Sequence, residues 1–299
     1  MKIGLVGLGK MGKNLAINMM RNDIDVVGFD QNLESTEFEE QTPLIVESIE
    51  SLVDSLPSPK IVWVMVPSGE ITKTVIASLS DLLSQGDIII DGGNSFFKDS
   101  IENSEFLQDK GIYFFDCGTS GGMEGALNGG NFMIGGNAEM FSVIEPVFQA
   151  TAQEGGYLYT GAVGSGHYLK MIHNGIEYGM MQAIGEGFEI LDKSRYDYDK
   201  EKVADLWNNG SVIRSWLMQL TAQSFKENPS LEGISGVINS SGEGKWTVQE
   251  ALELEVSIPV IASSLFVRYE SQVADSFSGK VVSSLRNQFG GHAVVEKKI

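Results

Sequence analysis

Gly7-Leu-Gly-Lys-Met-Gly12 falls between a compact apolar run, Lys2 to Val6, and an amphipathic stretch, Met11 to Arg21. The hexapeptide alone is a weak pattern, because glycine-rich turns match it by chance. Its place is what constrains the fold: strand, glycine turn and helix, in that order, open a β-α-β unit. Glycines let the backbone approach a pyrophosphate, and the N-terminus of the following helix stabilises the charge. Gly7, Gly9, Met11 and Gly12 are therefore candidate dinucleotide contacts. A second strand, Asp25 to Asp30, ends in an acid about 20 residues past the glycines, where a carboxylate accepts hydrogen bonds from the adenosine ribose. The lesser alternative for Asp30 is a plain strand-end surface residue. Gln31 to Thr42 has no Lys or Arg but has Glu34, Glu37, Glu39 and Glu40, so nothing there receives a 2′-phosphate, and NAD is expected over NADP.

The alternation continues through Ile61 to Val66, a helix from Glu70 to Leu83, Ile88 to Asp91, a polar helix from Asp99 to Lys110, and Ile112 to Cys117. Strands separated by helices of this length specify a parallel doubly wound sheet, an α/β class of fold. Val66, at the end of its strand, joins the candidate cofactor contacts. A glycine-dense segment then leads into Asn131 to Gly136, a helix near Ala138 to Gln153 and a strand at Tyr157 to Tyr159. Beyond Gly161 the periodicity is helical: Ser165 to about Asp192, Asp199 to about Lys226, Thr247 to Glu255 and Ile258 to Glu270. The reading is a cofactor domain over 1–162 and an all-helical domain over 163–299, with no internal repeat. Trp207 and Trp216 serve either the core of that domain or an interface.

Charge narrows the partners. Twenty-one Lys and Arg against 40 Asp and Glu give a formal charge of −19, which disfavours nucleic acid and anionic membranes. An anionic ligand then requires a local basic cluster. The single Cys117 rules out an intramolecular disulfide framework and fits a reducing, cytoplasmic setting. The N-terminus has neither a signal nor a transit pattern, no apolar run is long enough to span a membrane, and no metal-ligand set is expected.

Reactive side chains concentrate in Lys170-Met-Ile-His-Asn-Gly-Ile-Glu-Tyr178. Helical neighbours recur three and four residues apart, so Lys170 shares a face with Asn174, Glu177 and Tyr178, and His173 sits beside it. Such a stripe also suits a solvated i, i+4 ion pair. Against that stand the Gly164-Ser-Gly opening and the apolar surroundings, Tyr168, Leu169, Met171, Ile172 and Ile176, which predict burial. A buried lysine facing a buried carboxylate is costly and is kept where acid/base chemistry needs it. Two further stretches follow strands, where open sheets place ligands: Asp91-Gly-Gly-Asn94-Ser95 and Gly118-Thr-Ser-Gly-Gly122. The second belongs to a run with eight glycines between Gly118 and Gly136, whose bare N–H groups suit a carboxylate or oxyanion. Both are also good loop chemistry.

Gly7 to Asn18, Ile89 to Ser95, Ser120-Gly-Gly122, Lys170 to Tyr178 and Gly244-Lys-Trp-Thr247 occur in the order found in decarboxylating 6-phosphogluconate dehydrogenases, which the chain resembles. Within the broader β-hydroxyacid dehydrogenase superfamily, His-Asn-Gly-Ile-Glu-Tyr after the lysine is the distinguishing block. At 299 residues the chain is similar to the short bacterial-type members. The resemblance implies oxidation of 6-phospho-D-gluconate at C3 and decarboxylation to ribulose 5-phosphate, a step of the pentose phosphate pathway. It implies Lys170, neutral in its buried setting, as the base, and Glu177 as the acid that protonates carbon. Asn174 would orient the C3 hydroxyl, and Ser120, Gly121, Gly122 and His173 would hold the carboxylate end. Asn94 would bridge substrate and nicotinamide ribose.

For the phosphate the resemblance implies Tyr178, Arg268, and Arg286 and His292 on a C-terminal tail reaching from a second subunit of a homodimer or homotetramer. Otherwise the tail is a frayed terminus. Where larger relatives carry a lysine, this chain has Ser241, followed by Glu243, and Lys245 supports the loop. Two rivals are a dehydrogenase of another small β-hydroxyacid such as 3-hydroxyisobutyrate, and a catalytically silent NAD-sensing module.

Overall fold

The computed structural model describes residues 1–32, 38 and 42–296. Glu34, Glu37, Glu39 and Glu40 lie outside the described residues. The chain forms two compact units, Met1–Asn174 and Gly175–Ile299. No helix among the described residues is long and apolar enough to cross a membrane.

The first unit is built on β1 (Lys2–Val6), α1 (Lys10–Arg21), β2 (Asp25–Phe29), β3 (Leu44–Ile45), α2 (Ile49–Asp54), β4 (Ile61–Val64), α3 (Glu70–Leu82) and β5 (Ile88–Asp91). It continues with α4 (Phe97–Gln108), β6 (Tyr113–Ser120), α5 (Gly122–Asn128), β7 (Gly130–Gly135), α6 (Ala138–Thr151) and β8 (Ala152–Gly161). The strands form one sheet in the order β3-β2-β1-β4-β5-β6-β7-β8. Alternate residues feed two cores: Trp63, Ile88, Ile90 and Phe115 on one face, Val62, Val64, Ile89 and Phe114 on the other. That period of two on strands buried on both faces explains why they read as continuous apolar runs. On the first face Trp63 packs against Phe148 and Phe132, with centroids 5.1 and 5.8 Å apart. Full burial of each such side chain contributes about 2–3 kcal/mol.

The sheet departs from the expected all-parallel pattern at one pair, since β7 runs antiparallel to β6. A parallel return needs a crossover of roughly a dozen residues or more. Between β6 and β7 the chain has only the seven-residue α5, so it reverses direction instead. The glycine-dense segment thus holds a short helix and a strand, not a loop.

In the second unit, α7 (Ser165–Asp192), which begins in the first, is followed by α8 (Lys200–Asn208), α9 (Trp216–Glu227), α10 (Gly242–Glu253), α11 (Pro259–Ser271) and α12 (Phe277–Gly290). The helix expected from Asp199 to Lys226 is two helices. Asn208-Asn-Gly-Ser211 is strong turn chemistry, Gly210 takes a φ of +87°, and Ser215 restarts the chain by accepting from Met218 N–H. Phe188, Ala204, Met218 and Phe225 form a local core that Trp207 joins, whereas Trp216 is exposed. The C-terminal segment is ordered as α12, yet none of its residues is buried.

One buried polar side chain ties three helices of the first unit together. Asn18 on α1 donates to Ala126 O in α5 at 3.1 Å and to Thr151 O at the end of α6 at 2.9 Å. Both are carbonyls near helix C-termini, which lack a full set of intrahelical partners. Asn18→Ala leaves them dry and unpaired, and should lower unfolding stability by about 1–3 kcal/mol in urea denaturation. An unchanged midpoint would show that Asn18 does not hold these ends.

Candidate active site

The glycine-rich turn behaves as its spacing predicts. Gly7 takes a φ of +98°, donates to Phe29 O at 2.8 Å, and leaves no room for a side chain beside Met65 O. A Cβ on Gly12 would lie 1.9 Å from Gly7 O, so α1 can start this close to β1 only with glycine there. Gly9 faces open space and caps α1, whose first turn has no acid. A cavity of about 310 Å³ lies at the C-terminal ends of the strands, lined by Gly9, Met11, Gly12, Val66, Asn94 and Thr119 among others. Bare N–H groups, an unopposed helix N-terminus and room for close backbone approach fit a dinucleotide pyrophosphate.

Asp30 is engaged at both oxygens. One accepts from Leu8 N–H at 2.6 Å and the other from Asn32 N–H at 2.8 Å. Its carboxylate therefore shapes the glycine turn. Asp91 acts similarly, accepting from Gly93 N–H at 3.0 Å and from the Ser95 hydroxyl at 2.7 Å. That turn holds Asn94 at a φ of +54°. The Asn94 amide then pairs with one backbone residue, donating to Thr119 O at 3.1 Å and accepting from Thr119 N–H at 2.8 Å. Asn94 thus braces the strand end that carries Ser120, beyond any ligand contact expected of it.

The lysine helix meets β6 and β7 with no clearance. A Cβ on Gly166 would lie 2.3 Å from Met133 O and 2.6 Å from Asp116 O. Opposite, a Cβ on Gly118 would lie 2.4 Å from Lys170 Cβ. Two glycines therefore let the helix lie on the strands and bury the Lys170 stem. Lys170 is 5 % exposed and Asn174 9 %.

Its amine donates to Asn174 Oδ1 at 2.5 Å and lies 3.4 Å from His173 Nδ1. Asn174 Oδ1 is also 3.0 Å from His173 Nδ1; an amide oxygen only accepts, so the imidazole donates there. His173 Nε2, 3.2 Å from Ser120 Oγ, then accepts from that hydroxyl. Ser120, His173, Asn174 and Lys170 thus form one hydrogen-bonded chain ending in an amine. Gly121, at a φ of +104°, caps α5, and Gly122 opens it.

In the second unit Tyr178 is buried, filling the space a side chain on Gly244 would need. Its hydroxyl lies 3.0 Å from Ser241 Oγ and accepts from Ser241 N–H at 3.1 Å. The Arg268 guanidinium sits 3.4 Å from its ring centroid and donates to Asn239 O. Tyr178 and Arg268 are thus brought together, with Ser241 beside them. Arg286 and His292 share a separate recess of about 580 Å³ that contains neither Tyr178 nor Arg268. Glu177 is half-buried, and Ile176 beside it is exposed, so the expected burial of this whole turn is corrected: α7 is covered on its Lys170 face and open on the Ile176 face.

Two groups went unread in the sequence. Asp116 is fully buried in β6 and His167 lies one turn before Lys170. Burial pushes the Asp116 carboxyl above its usual range, while the His167 side chain and the N–H groups of His167 and Gly164 pull it back. The signals were a lone acid in Tyr113-Phe-Phe-Asp-Cys117 and the one histidine of three with no expected role. Burial raises the Cys117 thiol well above its usual value, leaving it a packing residue without thiolate character.

Comparison with known proteins agrees along the whole chain. Residues 2–164 match the model for the NAD binding domain of 6-phosphogluconate dehydrogenase, and 166–294 match that for its C-terminal domain. A putative 6-phosphogluconate dehydrogenase of Bacillus subtilis, YqeC, is 53 % identical over 298 residues, 99 % of this chain and 100 % of that protein. A protein of Haloferax volcanii named NAD(+)-dependent, decarboxylating 6-phosphogluconate dehydrogenase is 41 % identical, covering 99 % of each chain. The Plasmodium falciparum 6-phosphogluconate dehydrogenase structure superposes with a TM-score of 0.82 at 28 % identity, over 99 % of this chain and 66 % of that one. Solved 3-hydroxyisobutyrate dehydrogenases, such as that of Mycobacterium tuberculosis at 21 % identity and a TM-score of 0.71, share the fold. This chain belongs to the 6-phosphogluconate dehydrogenase family.

Proposed function

We propose that this protein oxidises 6-phospho-D-gluconate at C3 and decarboxylates it, yielding ribulose 5-phosphate, carbon dioxide and reduced NAD. The observation that carries the reading is the buried amine of Lys170, hydrogen-bonded through Asn174 to His173 and Ser120. Bound NAD supplies the acceptor for the hydride leaving C3. Lys170, as the free amine, takes the C3 hydroxyl proton, and Asn174 orients that hydroxyl. The resulting ammonium hydrogen-bonds the C3 carbonyl oxygen and stabilises the negative charge that develops there as the C1 carboxylate leaves as carbon dioxide. Glu177 then protonates the adjacent carbon of the enediol. Ser120, Gly121, Gly122 and His173 hold the departing carboxylate, and burial keeps water from the charged species.

NAD is preferred to NADP because Asp30, fixed by Leu8 and Asn32 N–H, presents a carboxylate where NADP carries its 2′-phosphate. Tyr178 and Arg268 receive the substrate phosphate, with Arg286 and His292 arriving from the tail of a second copy. Two observations support a homodimer. α12 exposes Phe277, Leu285 and Phe289 and buries nothing. An apolar recess of about 600 Å³ between helices of the second unit is lined by Met181, Phe188, Leu217, Leu220 and Phe225.

An assay following NADH and carbon dioxide together, with 6-phosphogluconate, gluconate and 3-hydroxyisobutyrate in parallel, tests the reaction. Equimolar products from 6-phosphogluconate alone are expected, and oxidation of 3-hydroxyisobutyrate without carbon dioxide would refute it. The same assay should show NAD above NADP in kcat/KM by about tenfold or more, and parity would remove the role of Asp30. Lys170→Met should lose about 10³-fold or more in kcat with NAD affinity retained, since proton transfer and charge stabilisation are both lost. Sedimentation should find a dimer or a tetramer, and a fully active monomer would exclude a shared site.

A further inference from the structure

The N-terminus of the lysine helix is capped from outside the helix. Gly164, at a φ of +91°, precedes its first residue, Ser165, and has no side chain to serve the exposed N–H groups of the first turn. Asp116, in the middle of β6, serves them instead. One carboxylate oxygen accepts from Gly164 N–H at 2.6 Å and the other from His167 N–H at 2.7 Å. Asp116 is 0 % exposed, a costly place for a carboxylate unless its charge is met, and the aligned N–H groups of a helix N-terminus meet it.

The same turn is gripped a second time. The His167 ring, 1 % exposed, lies with Nδ1 2.8 Å from the Ser100 hydroxyl of α4, while Nε2 has no partner among the described residues. Gly166 and Gly118 remove any slack between helix and strands. Lys170 follows His167 by one helical turn, so a displacement of the first turn carries the amine with it.

We propose that Asp116, assisted by the Ser100–His167 contact, is a positioning residue that sets the location of the Lys170 amine relative to the substrate hydroxyl. This rests on Lys170 as the proton-transfer group of the proposed reaction. The test uses Asp116→Asn, which keeps the size but leaves one accepting oxygen for two N–H groups, with Ser100→Ala and Lys170→Met beside it. Asp116→Asn should bind NAD within about twofold of wild type and keep KM within about fivefold. Its kcat should fall about 10- to 100-fold, as for an ångström-scale misplacement of a catalytic group. The primary deuterium isotope effect on kcat with substrate deuterated at C3 should rise, because the chemical step becomes more limiting.

A merely structural role would instead reduce the amount of active enzyme and leave KM and isotope effect at wild-type values. That result, or a wild-type kcat in folded Asp116→Asn, overturns the proposal. Should Asp116→Asn not fold, Ser100→Ala decides: kcat lowered about threefold or more with a raised isotope effect supports the proposal, and wild-type values of both overturn it. If Lys170→Met retains turnover, the role of Lys170 fails. If it is inactive while Asp116→Asn behaves as wild type, only the positioning inference fails.

Discussion

The contact on which the rest depends is the seat of the α7 first turn on β6 and β7. Burying a lysine requires that its stem be packed and its amine given acceptors. The first follows here from backbone approach, since Gly118 accepts the Lys170 stem, Gly166 accepts the strand carbonyls, and Asp116 fastens the exposed N–H groups; the second comes from Asn174 Oδ1 on the same helix. The short α5 and the reversal at β7 belong to the same arrangement, because β7 contributes the Met133 carbonyl against which Gly166 lies.

A second theme is the use of carboxylates in a chain of net charge −19. Asp30, Asp91 and Asp116 each spend both oxygens on nearby donors, five of the six being backbone N–H groups and the sixth the Ser95 hydroxyl. Each shapes a segment that lies beside the cofactor cavity or the lysine. Charge-assisted hydrogen bonds of this kind are stronger than neutral ones and fix turns that would otherwise have alternatives. The pairing of Asn94 with Thr119 extends the effect from the turn after β5 to the Ser120 end of β6. The turn after β5 and the strand end that carries Ser120 are therefore mechanically joined.

Much of this was legible in the sequence because it is local. The glycine turn between strand and helix, the acid at the end of the next strand and the side chains of α7 are all defined by neighbours within a few residues, and period and spacing report such relations directly. The helix around Lys170 has the bounds its pattern predicts, Ser165–Asp192. The break between α8 and α9 is equally local, and Asn208-Asn-Gly-Ser211 carries its signal against the helical periodicity on either side. Asp116 was of another kind: its partners lie 48 and 51 residues further on, and nothing in Phe-Asp-Cys announces a helix cap. Asn131 to Gly136 stood out in the sequence, but the direction of β7 did not, because an apolar run does not encode which way its strand runs and the turn that reverses it is the short α5. Exposure of Ile176 depends on which side of α7 the rest of the protein covers, which a single helical stripe does not encode.

The central claim is that this packing delivers the Lys170 amine to a carbon-bound hydroxyl beside the nicotinamide position. A crystal structure of the protein with NAD and 6-phosphogluconate, trapped with a slow variant at Glu177, tests it most directly. The account predicts the C3 hydroxyl within about 3 Å of Lys170 Nζ and within hydrogen-bond reach of Asn174. A substrate bound with its carboxylate against Lys170 and its C3 hydroxyl on a different side chain would contradict it.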